Sequence, residues 1–175
     1  MKMRVLLNPL LIIIFSVILR LIPHPANFAP IAGMALFGGV YLNKRYALIV
    51  PLLAMVISDF FLGFHNTILF VYGSFLLIGL IGLWIKKHKS VQSIIFASLA
   101  SSILFFVITN FGVWLVGSLY PKTVQGLILC YAYALPFFRN TLVGDLFYTG
   151  LFFGSYEIVV KMTIDNRKLK VGFRK

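Results

Sequence analysis

Apolar residues run along this chain in long stretches, broken by short polar or proline-containing segments. A helix that crosses a bilayer needs about 20 mostly apolar residues, with about 17–25 tolerated. Residues 5–22 form the first such stretch, closed by Pro23-His24-Pro25. Residues 28–42 form a second, shorter one. Residues 46–64 and 67–85 are the third and fourth, separated by His65-Asn66. Residues 91–119 are the fifth, long enough to tilt or protrude. Beyond Pro121 the pattern divides, because residues 124–135 are too short to cross alone and Pro136 parts them from 137–162. The shorter piece reads either as a seventh span or as a re-entrant or interfacial helix leading into the sixth.

Charge separates these alternatives. The chain carries 16 Lys+Arg against 4 Asp+Glu, a formal net charge of +12. With six spans, both termini share a side with the loops around Lys44-Arg45 and Lys86–Lys89. Thirteen basic residues then lie on that side, and Arg20, Lys122 and Arg139 on the other. Such a bias is the positive-inside pattern of a cytoplasmic face. A seventh span would carry the basic C-terminal tail across the membrane. The expected fold is therefore an all-α, polytopic membrane helix bundle with six transmembrane helices and both termini cytoplasmic, in the cell (inner) membrane. Residues 1–163 form one domain and 164–175 a basic tail.

Composition agrees, with 61% hydrophobic and 11% charged residues against about 45–50% and about 25% in soluble domains. The basic residues sit between and after the apolar stretches, which excludes a nucleic-acid-binding face and makes the lipid bilayer the partner. Lys2 and Arg4 before the first stretch imitate a signal peptide, but no small-residue cleavage site follows, so the stretch reads as a retained span.

Ionisable residues inside spans are costly and mark function. In this topology Arg20, His24, Asp59, Arg139 and Asp145 gather in the outer half, while Glu157 lies toward the cytoplasm, four residues before Lys161. Two helices carry stripes at four-residue spacing: Ser98, Ser102, Phe106, Asn110, Trp114 and Ser118 in one, Thr141, Asp145 and Thr149 in the other. Stripes of this kind face a bundle interior. Arg139 and Asp145, six apart, point to different helix faces and require different partners. An outward-facing pocket follows, in which charged residues fix a small amphiphile's polar edge and Tyr72, Phe106 and Trp114 pack its apolar part. The bland alternative is that pairs such as Arg20–Asp59 only hold helices together.

No Gly-rich phosphate loop, nucleophile motif or metal-ligand spacing is present, and the lone Cys130 reads as a small buried hydrophobe. No catalytic residues, metal or cofactor are expected, and the protein is not read as an enzyme. Ala32, Ala35 and Gly39 form a small-residue seam suited to close helix packing, as do Gly79 and Gly82. Met34, Met55 and Met162 read as core filling, and Tyr46, Trp84, Tyr120 and Tyr156 as interfacial anchors.

The run from Arg20 through Pro23-His24-Pro25, Asn27-Phe28, Pro30 and Ala32, then Leu36-Phe37-Gly38-Gly39, resembles an uncharacterised family of bacterial multi-pass membrane proteins. Pro51, Ser58-Asp59, Tyr72, Asn110, Trp114 and Pro136-Phe137-Phe138 with Asn140 extend the likeness over nearly the whole chain. More distantly, the chain resembles the substrate-binding S component of energy-coupling-factor (ECF) vitamin transporters, through Asp59 before Gly63 and the turn from Pro136 to Asn140. The resemblance implies a transport protein that captures a small vitamin-like or heterocyclic compound from outside. Its substrate-binding residues would be Arg20, His24, Asn27, Asp59, Tyr72, Asn110, Trp114, Arg139, Asn140 and Asp145. It also implies an energising transmembrane subunit and ATP-binding subunits, although residues 5–22 lack the alanines such subunits dock on. The second reading is a structural or scaffolding membrane protein.

Overall fold

A computed structural model describes residues 9–172, with side chains from 10 to 164. Among these residues the chain is all-α: α1 (Pro9–Leu21), α2 (Ile31–Tyr41), α3 (Lys44–Leu62), α4 (Ile68–Ile85), α5 (Val91–Val116) and α6 (Val124–Gly172). A 3-10 turn at Lys86–His88 joins α4 to α5. Four helices are long and apolar enough to cross a membrane: α3, α4 with its following turn, α5, and α6 as far as Ile164. At 1.5 Å per residue, α1 and α2 reach only about 20 Å and about 16 Å within the described residues.

The short α2 is the axis of the bundle. Each of its residues from Ile31 to Val40 is buried, and the other five helices all pack against it. A helix that is apolar all round belongs inside other helices rather than at a polar surface. Its contact with α4 is made by glycines: a Cβ on Gly39 would stand 2.6 Å from the Gly79 carbonyl oxygen and from the Gly82 Cα. On the α6 side, a Cβ on Gly33 would meet the Thr149 nitrogen at 2.9 Å. The small-residue seam is thus internal, and it lets backbones touch where side chains would hold them apart.

Polarity is distributed inside out. Ser16, Ser58, Ser74, Ser98, Ser101 and Ser102 are buried, whereas Phe60, Leu69, Trp84 and Phe96 are about 70–80% exposed. Ser58, Ser74 and Ser101 donate to carbonyls four residues earlier, and so satisfy their hydroxyls without leaving the helix.

The C-terminal region departs from its sequence reading. Residues 124–135 are no separate re-entrant or interfacial helix, because α6 runs unbroken through Pro136 to Gly172. Proline removes one backbone bond and bends a helix, but packing against a neighbour keeps the helix going. Here α5 supplies that packing: the Phe106 ring lies tilted against Tyr131 before the proline and against Phe138 after it, and the Tyr131 hydroxyl donates to the Val107 carbonyl. The basic tail continues the same helix as far as Gly172, and its side chains from 165 onward lie outside the described residues, as do Lys2 and Arg4.

At the end of the bundle opposite Arg20, Glu157 pairs with Lys89 at 2.5 Å rather than with Lys161. The Tyr41 hydroxyl donates to the same Glu157 oxygen at 2.7 Å, and Lys89 also lies over the Tyr41 ring. These contacts tie the end of α2 to the start of α5 and to α6. Burial works against the charge on Lys89, but the bonds to Glu157 and Tyr41 outweigh it and hold the ammonium above its ordinary pKa. Tyr156 is buried against Tyr41, with ring centroids 4.1 Å apart, and is no lipid anchor. Met162 is 62% exposed and fills no core.

Candidate functional site

Between α1 and α2 the chain crosses one end of the bundle in a proline-rich segment. Pro23, Pro25 and Pro30 restrict φ, and the Phe28 amide closes a turn onto the Pro25 carbonyl at 3.0 Å. Asn27 takes a left-handed φ of 63°, a conformation asparagine tolerates better than most residues. The segment is held down from α6. The Asn140 amide donates to the Ala26 carbonyl at 3.0 Å, the Phe28 ring packs on Phe147 and Tyr148, and a Cβ on Gly144 would stand 3.0 Å from the Phe28 Cα.

Beneath this rim, Arg20 of α1 meets Asp59 of α3 at 2.7 Å. Its guanidinium also donates to the Ser58 hydroxyl, which itself donates to the Ala54 carbonyl. The Tyr72 hydroxyl of α4 donates to the other Asp59 oxygen at 2.7 Å. Asp59 is 1% exposed, so the carboxylate is enclosed with its charge matched and both oxygens occupied. The His24 ring nitrogens lie 3.0 Å and 3.2 Å from the Pro25 and Arg20 carbonyl oxygens.

A cavity of about 360 Å³ opens beside this cluster. Arg20, His24, Asn27, Thr141 and Asp145 supply its polar wall, and Met55, Phe75 and Phe105 belong to its apolar lining. Asp145 of α6 is 4% exposed and accepts a bond from the Ser102 hydroxyl of α5 at 2.7 Å. One helical turn further, Thr149 lies 3.3 Å from Ser98. The two stripes seen in the sequence thus face each other as the seam between α5 and α6.

Of the ten sequence-derived site residues, Arg20, His24, Asn27 and Asp145 line the cavity. Asp59 and Tyr72 stand behind Arg20. Asn140 positions the rim. The remaining three lie elsewhere. The Asn110 amide donates to the Phe106 carbonyl within its own helix, and its carbonyl takes the Cys130 thiol. Trp114 donates to the Pro121 carbonyl at 2.9 Å, and its ring lies under Lys122. Arg139 is exposed and makes no hydrogen bond or ion pair among the described residues. A four-residue repeat identifies one helix face but does not say where along that face a cavity opens. Ser58, Ser102, Thr141 and Phe105 were not singled out as site residues. Thr141 and Ser102 did show a signal, since both belong to the stripes that contain Asp145 or face it.

His65 is bonded within its own turn to Thr67 at 2.9 Å. Among the described residues no three His, Cys, Asp or Glu side chains come together as a metal site.

The chain belongs to the family of unknown function DUF6580, which it matches over residues 2–168. No curated protein and no solved structure matches it.

Proposed function

We propose that this chain is a multi-pass inner-membrane protein that captures a small vitamin-like or heterocyclic compound from the outer side, in the manner of a transporter's substrate-binding S component. The observation that carries the reading is the cavity of about 360 Å³, a volume within the ordinary range for small-molecule sites, with a polar wall in an otherwise apolar bundle. The side it faces follows from charge. Arg20 and Arg139 are two of the three basic residues at the cavity end, while the Lys44-Arg45 and Lys86–Lys89 loops lie at the opposite, cytoplasmic end. In this reading α1 and α2 also cross the membrane, giving six spans. Energising transmembrane and ATP-binding subunits would act on the loaded protein. Capture without turnover fits the residues at hand, because Asp59 is committed to Arg20 and His24 lies against two carbonyls.

A scaffolding role is the second reading. It is favoured by the closed Arg20–Asp59–Tyr72 cluster, whose side chains complete one another's bonds. Native mass spectrometry of the detergent-purified protein separates the two. Capture predicts a discrete one-to-one small-molecule adduct on protein freshly extracted from its native membrane. A second protein chain in place of that adduct would support the scaffold where that chain is neither an energising transmembrane subunit nor an ATP-binding subunit, and a chain of either of those kinds would support capture.

A further inference from the structure

Among the described residues, Asp145 is a carboxylate at the cavity whose charge no side chain answers. It is 4% exposed and part of the cavity wall. Ser102 occupies Oδ2, while Oδ1 has no hydrogen-bond partner among the described residues. The cations that could serve it are engaged or remote. Arg20 is bonded to Asp59 and Ser58, both His24 nitrogens lie against carbonyls, and Arg139 is exposed six residues away along α6. The Thr141 hydroxyl, one turn from Asp145, is spent on the Phe137 carbonyl. A lone carboxylate inside an apolar bundle is costly, and that cost falls when a counter-charge enters.

We infer that the pocket's ligand is a small organic cation whose protonated nitrogen is held by Asp145 while its apolar body rests on Phe75 and Phe105. The inference rests on the capture reading above and names the chemical class that reading leaves open. A bare metal ion fits poorly. Hard cations such as calcium take 6–8 oxygen ligands, whereas this wall offers one free carboxylate oxygen. The cavity is also roughly ten times the volume of one water in the liquid. The closed Arg20–Asp59 pair contributes no net charge, which leaves Asp145 as the unmatched carboxylate of the cavity wall.

Three planar probes of nearly equal size test the sign directly: benzamidine (cationic), benzamide (neutral) and benzoate (anionic). Thermal unfolding of the full-length protein in detergent at pH 7 reads their binding. Benzamidine should bind at least about tenfold more tightly than either isostere, the scale of one charge-assisted hydrogen bond. Asp145→Asn should abolish that preference, and the comparison on the native protein stands even where the variant does not fold. An equal or larger shift from benzoate or benzamide overturns the inference and leaves the capture reading intact. So does an equal shift from sodium chloride at the same concentration, or a benzamidine shift unchanged in a folded Asp145→Asn variant. No shift from any of the three probes overturns both.

Discussion

Asp59 and Asp145 lie in the same apolar bundle, and what separates them is their partners. Asp59 has Arg20 on one oxygen and Tyr72 on the other, whereas Asp145 has a serine alone. Removing one member of a buried pair leaves the other charge stranded, at a cost of about 3–5 kcal/mol, while replacing both with apolar residues of similar size can be neutral. Asp59→Ala should therefore lower the melting temperature of the detergent-solubilised protein strongly, and Arg20→Leu with Asp59→Leu much less. Tyr72→Phe removes one hydrogen bond and should cost about 1 kcal/mol. A double variant less stable than Asp59→Ala by the full cost of Arg20→Leu alone would mean that Arg20 and Asp59 act separately. At this scale the sequence was informative about chemistry and less so about place. Charged residues in an apolar stretch declare themselves, so Arg20, Asp59 and Asp145 could be picked out. Asn110 and Trp114 shared a stripe with Ser102 but sit where α5 meets the start of α6, beyond the cavity.

Among the elements, α2 and α4 depend on glycine more than on any side chain. A Cβ on Gly82 would stand 2.5 Å from the Leu36 carbonyl oxygen, which is backbone and cannot swing aside. Gly82→Ala should destabilise the bundle by about 1–3 kcal/mol through overpacking. Gly150→Ala on α6 meets nothing within 4 Å and should be close to neutral. Equal melting temperatures for the two variants would show that α2 and α4 do not make this contact. Small-residue spacing made the seam legible beforehand, because only close backbone approach benefits from it. The continuity of α6 was not legible. Proline is a helix breaker in isolation, and the Phe106 contacts that carry the helix past Pro136 join residues distant in sequence.

For the whole molecule, the order of the helices follows from hydropathy alone, and their ends agree with the apolar stretches to within a few residues except in the C-terminal region. What hydropathy does not contain is depth. Nothing in residues 28–42 distinguishes a short lipid-facing span from a central one, since a helix enclosed by apolar helices and a helix enclosed by lipid are written with the same residues. Orientation is a separate prediction. A compartment-sensitive reporter fused after Lys175 should read cytoplasmic, and a periplasmic signal would move the cavity to the other side of the membrane.

The enclosure of α2 also bears on the order of events during synthesis. The chain emerges from its N-terminus, so α2 leaves the ribosome before α3, α4, α5 and α6, the helices that come to surround it. At about 16 Å it would cover roughly half of a hydrocarbon core about 30 Å thick, and its enclosure is complete only after α4 and α6 arrive. α6, made after the other five described helices, is also the one that lays Asn140 and Phe147 over the rim, so the cavity is complete only once α6 has packed.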